Sequence, residues 1–271
     1  MRCRVSVRDS WAIRVLRRPP RSSGFFSPAP PRILAHRGLA VDAPENTLLA
    51  FAKAVALGIS YIETDVHASS DGVAVISHDP DLTRLGGRDE LVSDLPLAEL
   101  QRVELGGGQC FASLAEALDG FPETRFNIDV KSADAVEPTV RAIRSAGALS
   151  RVLVTSFNER RRATTVRQLP GVATSASAPL FAGALLAGKI GFSPAVRLAL
   201  RSVDAVQIPE RAASLDTITP RQLRSLHAAG VEVHVWTIND ADEMTRLLDL
   251  GVDGIVTDRA DVAVQVIRSR E

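Results

Sequence analysis

Four short segments carry side chains that could work on a phosphate ester. His36-Arg37-Gly38 sets a group that exchanges protons near neutrality beside a permanently charged guanidinium. Glu63-Thr64-Asp65 holds two carboxylates two residues apart, on one face if the segment is a strand. Asp129-Val130-Lys131 repeats that spacing with an acid and an ammonium, and His78-Asp79 adds a second imidazole. Three carboxylates meeting on one rim, Glu63, Asp65 and Asp129, cannot all stay ionised without a counter-charge. One divalent cation, Mg²⁺ or Ca²⁺, supplies it, because all-oxygen ligands suit those ions better than Zn²⁺. Arg37 and Lys131 suit phosphate oxygens. His36 and His78 are then the acid–base pair, one taking a proton from the nucleophile and the other protonating the leaving alkoxide. The cation and Arg37 would stabilise charge on the phosphoryl oxygens, which is the chemistry of phosphodiester cleavage.

These residues need a scaffold that brings distant segments to one rim. From residue 31 onward, short β-branched runs alternate with helical patterns, which argues for βα units and a parallel sheet. Eight core strands are expected at 33–37, 61–67, 126–131, 152–157, 172–176, 205–209, 231–237 and 254–257. Helices are expected between them, for example at 47–57, which starts at a threonine and stops at Gly58, and at 240–249, ended by Gly251. The fold class is α/β, a (β/α)₈ barrel of the TIM type, whose active sites lie at the C-terminal ends of the strands. His36, Glu63, Asp65, Asp129, Lys131 and Trp236 fall at such ends. An open doubly wound sheet is the competing fold. No G-x-G-x-x-G follows the first strand, so a dinucleotide site has no support.

One segment breaks the rhythm. Residues 73–78 follow the second strand after Ala68-Ser69-Ser70-Asp71-Gly72, and Asp-Gly between alternating runs signals a hairpin. A two-residue Asp71-Gly72 loop would set position 78 opposite position 65, with Cβ atoms about 4.5–5.5 Å apart. A three-residue loop would turn His78 to the other face. Residues 82–111 then form a short insertion.

The 271-residue chain balances 32 Lys and Arg against 32 Asp and Glu, so no global field draws it to nucleic acid or an anionic membrane. No apolar run reaches the roughly 18 residues of a membrane span. The two cysteines, Cys3 and Cys110, form neither a disulfide framework nor a zinc motif, and suit a reducing, cytoplasmic setting. Residues 1–31 are rich in arginine, proline and serine and lack the apolar stretch of a secretory signal. They read as a disordered extension, with a surface-binding helix near 11–16 as the alternative; residues 32–271 are the barrel domain. Only three lysines occur, Lys53, Lys131 and Lys189, which singles out Lys131 in a chain that otherwise uses arginine.

His36-Arg37-Gly38, Pro44-Glu45-Asn46-Thr47, Glu63-Thr64-Asp65-Val66, Asp71-Gly72, His78-Asp79 and Leu82-Thr83-Arg84 resemble the N-terminal signature of glycerophosphodiester phosphodiesterases. Asp129-Val130-Lys131, Thr155-Ser156-Phe157, Val235-Trp236-Thr237 and the run from Gly251 to Asp258 resemble the family's later blocks, in the same order. The ordered set is far more specific than any one piece. The resemblance implies a barrel, a divalent metal held by Glu63, Asp65 and position 129, and acid–base work by His36 and His78. It further implies phosphate held by Arg37 and Lys131, Glu45 supporting the metal site or binding glycerol, and Trp236 packing on the glycerol. The family commonly has glutamate where this chain has Asp129. Aspartate keeps the charge but reaches one methylene less, which leaves direct coordination by Asp129 open.

The implied reaction yields sn-glycerol 3-phosphate and an alcohol from substrates such as glycerophosphocholine or glycerophosphoethanolamine. The nucleophile is either water or the substrate's own 2-hydroxyl, the latter through a cyclic phosphate. Two other readings compete. A lysophospholipase D would need an apolar trench, for which 179–192 with Phe181, Leu185, Leu186 and Phe192 is the candidate, although 178–192 otherwise reads as loop and short helix, with a membrane-facing lid as the alternative. A non-catalytic phosphate-binding barrel would lack activity despite these residues. Of the other histidines, His67 reads as a surface residue at the hairpin shoulder, His227 as a helix C-terminal residue and His234 as a buried, hydrogen-bonded barrel residue. Arg160-Arg161-Arg162 reads as a solvated helix face. Oligomeric state is not legible.

Overall fold

The computed structural model describes residues 24–212 and 215–270. Cys3 and the helix considered near 11–16 lie outside the described residues. Strand β1 (Arg32–His36) leads to helix α1 (Leu48–Ala56), and β2 (Tyr61–Ala68) turns back through β3 (Ala74–Ile76). The insertion holds two single-turn helices, α2 (Thr83–Gly86) and α3 (Leu97–Leu100), before α4 (Leu114–Gly120) and β4 (Arg125–Val130). Then come α5 (Val136–Ser145), β5 (Val152–Thr155), α6 (Glu159–Gln168) and β6 (Ala173–Thr174). Helices α7 (Ala178–Lys189) and α8 (Ser193–Leu200) precede β7 (Ala205–Pro209) and the two-residue strands β8 (Arg211–Ala212) and β9 (Leu215–Asp216). The chain closes with α9 (Pro220–Ala228), β10 (Glu232–Trp236), α10 (Ala241–Leu250), β11 (Gly254–Thr257) and α11 (Ala260–Arg268).

Eight strands pair in parallel in the order β6-β5-β4-β2-β1-β11-β10-β7. The two ends of that path meet: the Ala176 amide donates to the Ala205 carbonyl at 2.9 Å, and the Asp204 amide to the Thr174 carbonyl at 2.8 Å. This seam makes a nearly closed barrel with helices between its strands, and excludes the open sheet. All eight expected strands exist, two with both ends as expected and the others with ends displaced by at most two residues. The helix starts are chemically plain. Thr47 Oγ1 accepts from the Ala50 amide and Asp240 Oδ1 from the Glu243 amide, each satisfying a first-turn donor that the helix leaves unpaired.

Period-two alternation sorts each strand between two environments. Outward residues such as Ile62, Val66, Ile128 and Val154 pack under the helices. Inward residues fill the barrel in layers. At the floor, Leu34, Tyr61, Leu153, Ala173, Ala205 and Val256 pack with Phe25 and Phe26. The boundary expected at residue 31 is therefore too late. Residues 24–31 belong to the barrel, because two phenylalanines bury themselves in its open floor and remove apolar surface from water.

Beside them lies the buried Arg32. Its Nε and Nη2 grip both Glu232 oxygens at 2.7 and 2.8 Å; Nη1 donates to Tyr61 Oη and the Pro28 carbonyl at 2.6 Å, and Nη2 to the Phe26 carbonyl at 2.7 Å. All five guanidinium N–H groups thus have acceptors, which is what makes a buried charge tolerable. Above this layer, His234 Nε2 lies 3.1 Å from Glu232 Oε2, the buried, hydrogen-bonded state expected for it. A Cβ at Gly254, on the neighbouring strand, would sit 2.8 Å from the His234 ring, so only glycine leaves room for the imidazole.

Four expectations differ locally from the structure. The hairpin pairs Val66 with Ile76 and Ala68 with Ala74, which puts Ser77, not His78, opposite Asp65. Ser69 causes the shift: its Oγ bonds Asp71 and accepts from the Val73 amide, which widens the turn beyond Asp71-Gly72. The segment at 178–192, expected as loop and short helix, is mostly one three-turn helix, Ala178–Lys189, because alanine and leucine sustain it and α9 supports it. His67 is buried, its Nε2 3.2 Å from the His78 carbonyl, and in the arginine run Arg162 is buried on Glu159 and Thr174.

The floor generates a prediction. Arg32→Ala or Glu232→Ala leaves an uncompensated buried charge and should cost about 3–5 kcal/mol. Urea unfolding should show the loss in each single variant, and less than the sum of the two losses in the double variant.

Candidate active site

Strand register decides which side chains meet at the C-terminal mouth. His36 pairs with Glu63 across β1 and β2, and Asp65 pairs with Asp129 across β2 and β4. Asp129 in turn neighbours Thr155 on β5. His36, Arg37, Glu63, Asp65, Asp129 and Lys131 all line one cavity of about 470 Å³. His78 also reaches it, although not by the strand parity expected: β3 ends at Ile76 and the chain turns at Ser77 and His78 toward the mouth. Trp236 stands on the opposite wall, its ring 6.0 Å from and nearly perpendicular to that of Phe157. Glu45 lies outside this cavity, in an adjoining cleft of similar volume that shares His36 and Arg37.

The acids are held by a continuous ionic network. Lys131 Nζ is 2.8 Å from both Asp65 Oδ1 and Asp129 Oδ2. Asp65 Oδ2 accepts from Asn46 at 3.0 Å and lies 3.3 Å from Arg37 Nε. Arg37 donates to Glu45 Oε1 at 2.8 Å, Arg84 donates to the same oxygen at 2.6 Å, and Arg84 also donates to Asp79 at 2.6 Å. Asp79 Oδ1 ends the chain at His78 Nδ1, 2.7 Å away. Glu45 thus positions Arg37 and is not placed among the other acids.

Backbone geometry serves the same end. Arg37 (φ 58°) and Asn46 (φ 57°) both occupy the left-handed region, unusual for arginine. The Arg37 amide donates to the Glu63 carbonyl, and the Asn46 amide to the Arg37 carbonyl, each at 2.9 Å. Gly38 (φ 85°) follows because a Cβ there would lie 2.7 Å from the Ala50 backbone. His-Arg-Gly is therefore a packed turn that lays Arg37 across the acids.

The two imidazoles are mounted alike. His36 Nδ1 is 2.6 Å from Asp258 Oδ1, as His78 Nδ1 is 2.7 Å from Asp79. A carboxylate only accepts, so each Nδ1 carries the proton and Nε2 is left for chemistry. Asp258 had appeared only as the end of a sequence block. Its role follows from the meeting of β1 with β11, which no local signal announces; Asn239, donating to its other oxygen at 2.8 Å, was missed for the same reason. Asn127 and Gln207, also in the cavity wall, were missed because an amide on a strand has no distinctive pattern.

Electrostatics rank the acids. Burial, and then the charge of Asp65, push the Glu63 carboxyl up to about 8. Burial also raises Asp129 above its ordinary value, with Lys131 opposing only in part. In Asp65, burial is outweighed by Lys131 and Arg37, and the carboxyl lies below its ordinary value. For His36, burial pulls downward, but the Asp258 hydrogen bond and the Glu63 charge win and favour the imidazolium.

A hard cation suits this donor set in part. All three acids offer oxygen, and Asp129 Oδ1 is buried without a hydrogen-bond partner among the described residues. Asp65, however, has both oxygens engaged, and Lys131 stands between it and Asp129. Among the described residues no three Asp, Glu, His or Cys side chains are gathered as a ready metal-binding group.

Residues 36–262 match the model of the glycerophosphoryl diester phosphodiesterase family. The chain belongs to that family. It is 43% identical over 88% of its length to "Probable glycerophosphodiester phosphodiesterase 2" of Mycobacterium tuberculosis, covering 90% of that protein. A phosphodiesterase of Oleispira antarctica, solved in complex with the product sn-glycerol-3-phosphate, superposes with a TM-score of 0.74 at 25% identity, over 88% of this chain and 97% of that one. A lysophospholipase D of Rattus norvegicus is 27% identical, over 84% of this chain and 83% of its own. The protein is thus an enzyme of a family that hydrolyses glycerophosphodiesters and is generally dependent on a divalent metal.

Two predictions come from the electrostatics. A carboxyl raised from 4.5 to about 8 binds its proton more tightly folded than unfolded. Metal-free protein should therefore lose stability as pH rises from 4.5 to 8 and level off above. Chemical unfolding across that range should show a shallower slope for Glu63→Gln. Asp258→Asn should lower the His36 titration midpoint, read by proton NMR of the imidazole.

Proposed function

We propose that this enzyme hydrolyses glycerophosphodiesters such as glycerophosphocholine and glycerophosphoethanolamine to sn-glycerol 3-phosphate and an alcohol, with His36 and His78 as its acid–base pair. The observation that carries this reading is the matched mounting of the two imidazoles, each with Nδ1 on a carboxylate, around one cavity that also holds Arg37 and Lys131.

In this reading Arg37 and Lys131 bind the phosphoryl oxygens as fixed cations. The raised proton affinity of His36 suits it to protonate the leaving alkoxide, and the more exposed His78 takes the proton from the attacking hydroxyl. Phe157 and Trp236 offer an apolar wall to the glycerol carbons. With a phosphodiester bound, three carboxylates and the phosphate face only two permanent cations among these groups, Arg37 and Lys131. One divalent ion, Mg²⁺ or Ca²⁺, would restore the balance, held by Glu63 with Asp65 and Asp129, and would supply Lewis-acid stabilisation of the phosphoryl charge. Glu63 is its strongest anchor here, since it is buried and, among the described residues, its one ion-pair partner within 4 Å is His36, at 3.9 Å.

A lysophospholipid reading draws support from Phe181 and Leu185, which extend the cavity wall along α7. Comparable turnover of lysophosphatidylcholine and glycerophosphocholine would favour it.

The test is glycerol 3-phosphate release with Mg²⁺ or Ca²⁺, before and after EDTA. His36→Ala and His78→Ala should each lower turnover by at least about 100-fold with circular dichroism unchanged. Glu63→Gln should abolish activation by metal. Folded histidine variants with full activity would refute the acid–base assignment.

A further inference from the structure

The described residues expose eight large hydrophobic side chains, and half of them fall together: Leu186, Ile190, Phe192 and Leu198 lie on α7, α8 and their connection, 56 to 71% exposed, while Phe157 stands at the cavity mouth. Single exposed apolar residues are ordinary, but a cluster of this kind marks a contact surface. Leu186 and Ile190 are four apart, one above the other on the helix. Phe192 follows in the link to α8.

The helix is firmly seated, so this face is not a loose segment. Gly188 lets α7 approach α9 so closely that a Cβ would meet the Gln222 amide at 2.5 Å, and Ala184 and Ala187 are buried beneath it. The inner side of the same helix supplies Phe181, Ala182 and Leu185 to the cavity. One helix therefore presents an apolar wall to the site and an apolar face to the outside.

Its charge is one-sided. Between Glu159 and Asp204 the chain has no acidic residue, in a protein whose formal net charge is zero. Lys189 and Arg197 are exposed in α7 and α8, and Arg221 of α9 comes close enough to Gly191 that a Cβ there would lie 2.7 Å from its guanidinium. Protruding apolar side chains among basic ones, with no acids between them, match the interface of an anionic bilayer. No helix among the described residues is long and apolar enough to cross a membrane.

We propose that the α7–α8 face docks the enzyme reversibly onto anionic lipid surfaces, with Leu186, Ile190 and Phe192 entering the headgroup region and Lys189 and Arg197 facing lipid phosphates. Docking rests on surface chemistry and not on the reaction, so it can fail while the proposed activity stands.

The full chain would be sedimented with vesicles of equal parts phosphatidylcholine and phosphatidylglycerol, and with vesicles of phosphatidylcholine alone. The expected result is binding to the first and little to the second, weakened by salt. Leu186→Ser with Ile190→Ser should reduce it by about tenfold or more. Lys189→Glu with Arg197→Glu should reduce it at least about fivefold per residue. Turnover of soluble glycerophosphocholine should be unchanged in both variants, which also shows that they fold. Equal binding to neutral vesicles, no binding at all, or binding untouched by either variant would overturn the proposal. So would a concentration-dependent dimer in sedimentation velocity that the serine variant abolishes, since the face would then belong to a second copy of the chain.

Discussion

Three carboxylates packed into the mouth of a barrel repel each other and pay for lost hydration, and the rest of the site is arranged around that constraint. Lys131 answers Asp65 and Asp129 together, and Arg37 is bent through a left-handed turn to lie against Asp65. Arg37 is itself held by Glu45, Glu45 by Arg84, and Arg84 by Asp79, which orients His78. A change at one acid is therefore felt at an imidazole across the mouth. Glu63 is the member this network compensates least, which makes it the natural point for an added cation.

The two ends of the barrel divide the labour. At the floor, Arg32 and Glu232 form a fully bonded pair sealed by Phe25 and Phe26, an arrangement in which every polar group has a partner. At the mouth, Asp129 Oδ1 lacks a hydrogen-bond partner among the described residues, and burial pushes the Glu63 carboxyl up to about 8. Satisfied polar groups give rigidity, and unsatisfied ones leave binding capacity for substrate and ion. The column of His234, Gln207 and Asn127 joins the two layers and fills the barrel between them.

The connection between β6 and β7 adds what the barrel alone lacks. Helix α7 closes one side of the cavity with Phe181 and Leu185, opposite the charged rim. The site thus has a phosphate-binding half and an apolar half, a division that suits a diester with one charged and one carbon-rich part.

Much of this was legible in the residues. Alternation within strands, caps such as Thr47 and Asp240, and the stop at Gly251 are local properties, and the eight strands and their helices follow from them. The ordered blocks around His36, Glu63, Asp65, His78, Asp129 and Lys131 named the chemistry. Other features were beyond local reading. The hairpin register slipped by one because Ser69 captured the turn, yet His78 still reached the cavity by leaving the strand. Residues 24–31 looked like tail because their value lies in filling a hole made by eight other segments. Asp258 became a partner of His36 only when β1 and β11 were placed side by side, and Glu45 a clamp on Arg37 only when the connection between β1 and α1 folded back on itself. By itself, then, the sequence determined which chemical groups the protein owns and which face of each strand carries them, because side-chain alternation needs no long-range contact. Only the tertiary structure decided which groups face one another, because register and barrel closure are set by pairings between strands far apart in the chain.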